Sequence, residues 1–294
     1  MHGGHQTYCR FVQVGIGLPN PIPGTPGRLL VDWARQAESA GFSALATIDR
    51  IAYPSYESLV ALAAAAGATE RIGLMSNILL APTRSPVLLA KEAASVDQLS
   101  GGRLVLGLGV GGRPDDFEVT GTNLKDRGRR LDEALELMHR AWRGEPVAGS
   151  SQPLTPRPFN GERVPIMFGG GADPVLRRVA RWGVGWTAGG GAAERMAPMM
   201  EKVRAAWQEA GREGEPRFAA LTYFALGPES ERGREYLADY YGPFAERMWP
   251  RVPRTPDAIR EAAEGYRAAG VDELFFDPSI ASLDQVDLLA KAIL

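Results

Sequence analysis

Between residues 71 and 112 the chain reads RIGLMSNILLAPTRSPVLLAKEAASVDQLSGGRLVLGLGVGG, a strand, a helix and a second strand without interruption. Residues 72–80 are apolar almost throughout, as a strand covered on both faces by helices must be, yet Ser76 and Asn77 stand in their middle. Polar groups there need partners. Pro86 opens the helix, Leu88, Leu89, Ala93, Val96 and Leu99 recur at helical spacing, and Ser-Gly-Gly at 100–102 ends it. The second strand, 103–110, runs into Gly107, Gly109, Gly111 and Gly112, so backbone rather than side chains must face something at its far end. This is a βαβ unit, and βαβ units build parallel sheets.

The same alternation of strand and helix continues along the chain. Strands are expected at 11–18, 42–48, 72–80, 103–110, 165–168, 184–188, 217–226 and 273–276, each followed by a segment with one apolar helical face. Residues 144–164, with Pro146, Pro153, Pro156 and Pro158, form an irregular arm with room for a short β ribbon between the fourth and fifth strands. No linker divides the series, so a single (β/α)8 barrel over 1–294, an α/β TIM barrel with that one insertion, is favoured over two Rossmann-like halves. A nicotinamide-binding half would also need GxGxxG after the first strand, and residues 19–27 lack that spacing. Residues 1–10 are expected to be a loose tail.

Composition narrows the function. A formal net charge of −2 offers no general attraction for nucleic acid or anionic lipid. The lone Cys9 excludes an internal disulfide, and His2, His5 and His139 are too scattered for a zinc cluster, so no metal and a cytoplasmic location are expected. No segment approaches the roughly 20 apolar residues of a membrane span.

In such a barrel the chemistry belongs at the carboxyl ends of the strands. The residues there are Asp49 and Arg50, Ser76 and Asn77, Gly107 to Arg113, Phe168 with Gly169, Gly170 and Gly171, and Trp186 with Thr187. The set is rich in glycine and poor in acid/base groups, and GxSxG, HExxH and P-loop patterns are missing; a bound organic cofactor would supply the missing reactivity. Asp49 and Arg50 read equally as site residues or as a strand-end ion pair. Ser76 and Asn77 favour a cofactor role over shaping a bulge. Gly169 to Gly171, followed by Asp173 as N-cap and Pro174 in a first helical turn, favour a phosphate site over a tight turn. Of Arg113, Arg127, Arg129 and Arg130, one or two should reach a phosphate. Trp33, Trp142, Trp182 and Trp207 read as helix packing, while Trp249, Tyr240 and Tyr241 are suited to capping an apolar pocket.

The order of SPVLLAKEAASVDQLSGGRLVLGLGVGG, RGRRLDEALELMHRAW and VPIMFGGGADPVLRRVARWGVGW resembles the bacterial luciferase-like superfamily of flavin- and deazaflavin-dependent oxidoreductases. The resemblance implies a (β/α)8 barrel, commonly dimeric, holding reduced FMN or coenzyme F420 at the strand ends. It implies either an oxygen-dependent monooxygenase, with a flavin reductase as a possible partner, or an F420-dependent hydride-transfer enzyme, acting on a small organic substrate. A flavin-binding accessory barrel with reduced catalysis is the alternative. The resemblance places a bulge with a non-prolyl cis peptide at Ser76 and Asn77, a phosphate turn at Gly169 to Gly171, and phosphate-contacting arginines at Arg113 and Arg127. Cofactor contacts are then expected from Ser76, Asn77, Gly109, Gly111, Arg113, Arg127, Phe168, Gly169, Gly170 and Gly171, with Asp49, Arg50 and Asn77 against the reacting centre. The family's second strand often ends Asp-His; here it ends Asp49-Arg50, and a guanidinium of pKa above about 12 can hold an anion but cannot exchange protons near neutrality.

Overall fold

The structure, a computed structural model, describes residues 12–191 and 193–294. The tail expected at 1–10, with His2, His5 and Cys9, lies outside the described residues, as does the start of the first expected strand.

Each expected strand is present, and all pair in parallel. Strands β1 (Gln13–Gly17), β2 (Ala44–Thr47), β3 (Gly73–Ser76), β4 (Leu79–Leu80), β5 (Leu104–Gly109), β6 (Ile166–Gly169), β7 (Gly185–Ala188), β8 (Arg217–Phe224) and β9 (Glu273–Pro278) run in the order β3-β2-β1-β9-β8-β7-β6-β5-β4. A further pairing of β3 with β5 closes the ring. The third strand is therefore β3 plus β4, and the ring is a (β/α)8 barrel. Its helices are α1 (Gly27–Ala40), α2 (Ser58–Ala68), α3 (Pro86–Leu99), α4 (Pro114–Val119), α5 (Arg127–Trp142), α6 (Pro174–Trp182), α7 (Ala197–Glu209), α8 (Gly233–Tyr241), α9 (Ala245–Met248), α10 (Pro256–Ala268) and α11 (Asp284–Ile293). None is long and apolar enough to cross a membrane.

Strand alternation sorts the side chains into two cores. On β9, Leu274 and Phe276 join the outer layer between barrel and helices, while Phe275 points into the lumen with Ala44, Ala46, Met75, Met167, Ala219 and Leu221. The lumen fills because large side chains meet small ones. A Cβ on Gly15 would lie 2.5 Å from the Phe275 ring, so β1 leaves that space open.

Two segments differ from their sequence reading. Residues 144–164 contain no β ribbon. The arm is instead pinned to α3 and α5 through single contacts: Lys91 Nζ to Thr155 O at 2.6 Å, Phe159 N to Asp97 Oδ2 at 2.7 Å, and Arg157 Nε to Trp142 O at 2.9 Å. Its prolines remove the donors a ribbon would need. The excursion after Gly112 contains α4, whose Asp116 and Phe117 are buried.

Candidate active site

The third strand breaks where its polar residues lie. Leu74 and Met75 face Leu104 and Val105 before the break, and Leu79 and Leu80 face Leu108 and Gly109 after it, so this strand contains one residue more than its partner. The Asn77–Ile78 peptide is cis, within the bulge that the resemblance placed at Ser76 and Asn77. Ser76 Oγ donates to Gly107 O at 2.9 Å, and Asn77 N donates to Thr47 O at 2.7 Å, tying the bulge to both neighbouring strands.

The glycines of β5 and β6 make room for this bulge. A Cβ on Gly107 would collide with the Ser76 carbonyl, and one on Gly109 with Ile78. A Cβ on Gly169 would lie 2.8 Å from Ile78 Cδ1. Gly111, at φ 72°, packs under Leu80 and Phe117. Ile78 thus forms the floor of a cavity of about 210 Å³ at the carboxyl end of the barrel, walled by Asn77, Arg50, Arg113, Leu221, Tyr240 and Tyr241. Asn77 Oδ1 accepts from Thr187 Oγ1 at 2.9 Å, while its buried Nδ2 has no partner among the described residues. An unpaired buried amide N–H costs about 1–3 kcal/mol, which a ligand acceptor would relieve.

Asp49 and Arg50 do not pair with each other. The buried Asp49 carboxylate accepts from Leu80 N at 2.8 Å and from Arg84 Nη2 at 3.0 Å, so it fastens the end of β2 to the tail of the third strand. Burial pushes its pKa up, and Arg84 and the Leu80 N–H oppose that shift. Arg50 is buried and donates to Asp116 Oδ2 and Asp115 Oδ2, both at 2.7 Å. Asp116 Oδ1 also accepts from Ile51 N and Ala52 N, each at 2.8 Å. The strand-end cation is therefore held by α4, with its guanidinium carbon 5.7 Å from the Tyr240 ring centre.

Arg113 approaches the same wall from above. Its guanidinium carbon lies 4.7 Å from the Tyr240 ring centre and 5.6 Å from that of Tyr241, and among the described residues it has no carboxylate at ion-pair distance. Arg113 and the glycine turn after β6, both expected to hold phosphate, lie in different cavities. Gly170 and Gly171 line a groove of about 470 Å³ with Trp186, Gly189, Arg195 and Lys202. Trp186 Nε1 donates to Gly170 O at 2.9 Å and fixes that turn. Asp173 makes no side-chain cap; its carboxylate lies 3.7 Å from Lys202.

Two expected contacts point elsewhere. The Phe168 ring is buried in the outer layer, as its alternation with Met167 requires. Arg127 donates to Leu124 O at 2.7 Å and lines neither cavity. Arg129 pairs with Asp126 and Glu133, and Arg130 donates to Pro82 O. Trp33, Trp142 and Trp207 are buried as helix packing, and Trp182 stacks on His139 with ring centres 4.3 Å apart. Tyr240 and Tyr241 do wall the pocket, whereas Trp249 is buried beneath Arg254.

Arg84, Asp116, Arg195 and Lys202 were not legible in advance. Each lies in a loop or helix whose approach depends on chain closure, and a solvated charge has the same sequence signal. Asp277 is different, since FFDP at the end of the last strand was available as a clue. Among the described residues no group of His, Cys, Asp or Glu is arranged to hold a metal ion.

Comparison with known proteins adds three findings. Residues 12–278 match the family model described as luciferase-like monooxygenase. An uncharacterised protein of Mycobacterium tuberculosis is 32% identical over 208 residues, 61% of this chain and 71% of that protein. Solved structures with the same fold include a monooxygenase from Streptomyces bottropensis (TM-score 0.78, 22% identity, 96% of this chain and 98% of that one). Others are an F420-dependent secondary alcohol dehydrogenase in complex with an F420-acetone adduct (TM-score 0.77, 18% identity, 96% and 98%) and, from Pseudomonas putida, the oxygenating constituent of 3,6-diketocamphane monooxygenase with FMN (TM-score 0.73, 19% identity, 95% and 96%). At these identities the structures establish a shared fold.

Proposed function

Since this chain belongs to the luciferase-like monooxygenase family, we propose that it is an oxidoreductase whose tricyclic cofactor, FMN or the deazaflavin F420, rests on Ile78. The observation that carries this reading is the bulge itself. Gly107, Gly109 and Gly169 are emptied of side chains to admit it, and Asn77 lines the cavity beside it with its buried Nδ2 unpaired among the described residues. The Asn77–Thr187 bond links this floor to β7, whose Trp186 and Ala188 line the groove with Arg195 and Lys202.

The residues present fit such a group. The ring would lie over Ile78 with Asn77 Nδ2 donating to one of its heteroatoms, and its anionic tail would lie toward Gly170, Gly171, Arg195 and Lys202. The bound ring supplies two-electron redox chemistry. The chain holds it in place, excludes water with Leu221, Tyr240 and Tyr241, and sets positive charge at the pocket mouth with Arg113. Arg50, occupied by Asp115 and Asp116, acts by its charge and by rigidity. The substrate is a small organic molecule entering beside the tyrosines.

Equilibrium titration with FMN, reduced FMN and F420, followed by ring fluorescence, tests the reading and separates the two cofactors. Binding of one ring in the micromolar range is expected; binding of none overturns it. Tight binding with no turnover of any candidate substrate would favour an accessory barrel. Two copies of the chain pairing in solution, checked by sedimentation, and a reductase supplying reduced flavin if FMN is the ring bound, belong to the same reading.

A further inference from the structure

The face of the barrel opposite the Ile78 cavity holds a second polar site. Helices α5 and α6 run back from the carboxyl ends of the strands, so their last turns lie at the strands' amino ends, where Arg163 leads into β6. There His139, Arg143, Glu162, Arg163, Arg181 and Trp182 line a cavity of about 320 Å³. His139 is 4% exposed, its ring stacked on Trp182 at 4.3 Å and set edge-on to Trp142 at 5.3 Å. Its Nε2 is buried without a partner among the described residues. A nitrogen in that position has given up water and received nothing in return, which asks for a ligand.

The charges that act on this imidazole are of one sign. Burial first, and then Arg163, Arg143 and Arg181, lower its pKa to about 4, and no carboxylate is among the groups that shift it, although Glu162 stands on the cavity wall. Arg143 pairs with Glu145 and Arg181 with Glu136, whereas Arg163 has no carboxylate at ion-pair distance among the described residues. Arg212, its guanidinium donating to Ala180 O at 2.9 Å and Gly183 O at 3.1 Å, is held below the usual guanidinium range by burial and then by Arg163. The negative ends of α5 and α6 account for Arg143 and Arg181 at their closing turns. They do not account for Arg163, which comes from the irregular arm and adds to the like charge.

We propose that this cavity binds a phosphate-class dianion, free phosphate or a small phosphomonoester, with Arg143, Arg163 and Arg181 as its donors and the His139 imidazole as a fourth. Guanidinium forks match the oxygens of such a group, and a protonated Nε2 adds one more charge-assisted bond. The ligand gives Arg163 its counter-charge, supplies the partner that Nε2 lacks, and ties three elements together: α5, the arm at 144–164 and α6. The site is separate from the Ile78 cavity and does not depend on the seat of the ring.

The test uses sulfate first, because its two charges persist through mildly acidic pH and leave only the protein to titrate. At constant ionic strength, proton NMR of the cofactor-free protein should show the His139 pKa rising by about one unit or more as sulfate saturates, and sulfate affinity should increase as pH falls below neutrality. The other charged groups on the elements packed around the cavity are Glu136, Arg143, Glu145, Glu162, Arg163, Arg181 and Arg212; of these Glu162 is a carboxylate on its wall, and Glu162→Gln should leave the shift in place. Arg163→Met should weaken sulfate by about tenfold or more, while Arg28→Met, an equal loss of charge on the exposed face of α1, should not. Calorimetric titration with phosphate and with glycerol 3-phosphate then separates the two sources: tighter binding of the ester assigns the site to a phosphomonoester, equal affinity to the free ion. No saturation by sulfate, a His139 pKa indifferent to it, a shift lost in Glu162→Gln, or equal weakening in Arg163→Met and Arg28→Met would each overturn the site, whether or not the barrel binds a ring.

Discussion

Thr187 Oγ1 donates to Asn77 Oδ1 across the mouth of the barrel, and this single bond orients the amide so that Nδ2 is left without a protein partner. Replacing Thr187 by Val keeps the shape and removes the donor. The Asn77 amide is then free to turn, and ring affinity should fall by about tenfold, or ~1.4 kcal/mol, with little change in thermal midpoint. Cofactor titration of the variant is the check; unchanged affinity would show that Nδ2 does not contact the ring.

Gly109 and Gly169 should behave as spacers for Ile78. Gly109→Ala forces a methyl into the Ile78 side chain and should destabilise the protein by about 1–3 kcal/mol. Adding Ile78→Ala should recover part of that loss, measured by denaturant unfolding of the two single variants and the double variant. Additive losses would remove the contact from the explanation.

The Arg50–Asp116 pair is buried on both sides. Breaking it with Asp116→Ala leaves the guanidinium with only the half-exposed Asp115 and strips Ile51 N and Ala52 N of their acceptor. A loss of about 3–5 kcal/mol is expected, and Arg50→Met with Asp116→Leu should lose less, because the buried guanidinium is gone and only the Ile51 and Ala52 amides stay without their acceptor. If the double replacement is as damaging as the single one, the pair does more than satisfy itself.

His139 gives a pH signature away from the pocket. Burial against Trp142 and Trp182, with Arg163, Arg143 and Arg181 nearby, lowers its pKa from 6.5 to about 4. The unfolded chain therefore takes up a proton that the folded chain refuses between pH 6.5 and 4, so this residue's contribution to stability declines as pH falls through that window. The expected size is on the order of 1–3 kcal/mol. In His139→Phe the thermal midpoint should fall less steeply from pH 6.5 to 4 than in wild type; parallel slopes would refute the shift.

Asp277 has the opposite sense. Its folded pKa of about 8 lies above the ordinary 3.8, so folding loses stability as pH rises between those values. Asp277→Asn should leave stability at pH 4 nearly unchanged and raise the melting midpoint progressively toward pH 8. A constant difference across the range would mean that the carboxyl is ionised when folded.

Barrel, helices and the place of the third-strand bulge were legible in the residues because they are local. Apolar runs of strand length, helical periodicity, and the two polar residues within residues 72–80 each carry their meaning over a few neighbours. Gly109 and Gly169 were also visible, but as a glycine-rich rim; that they give way to Ile78 follows from a contact between strands separated in sequence.

What tertiary structure alone decided is pairing. Asp49 and Arg50 are adjacent in sequence, yet alternation and loop closure send one to Arg84 and the other to α4. Phe168 was placed at the site by its position along the strand and removed from it by the face it occupies. Backbone pattern is written in short-range order, whereas the partner of a charge depends on which distant loops reach the same end of the barrel, and no neighbouring residue encodes that.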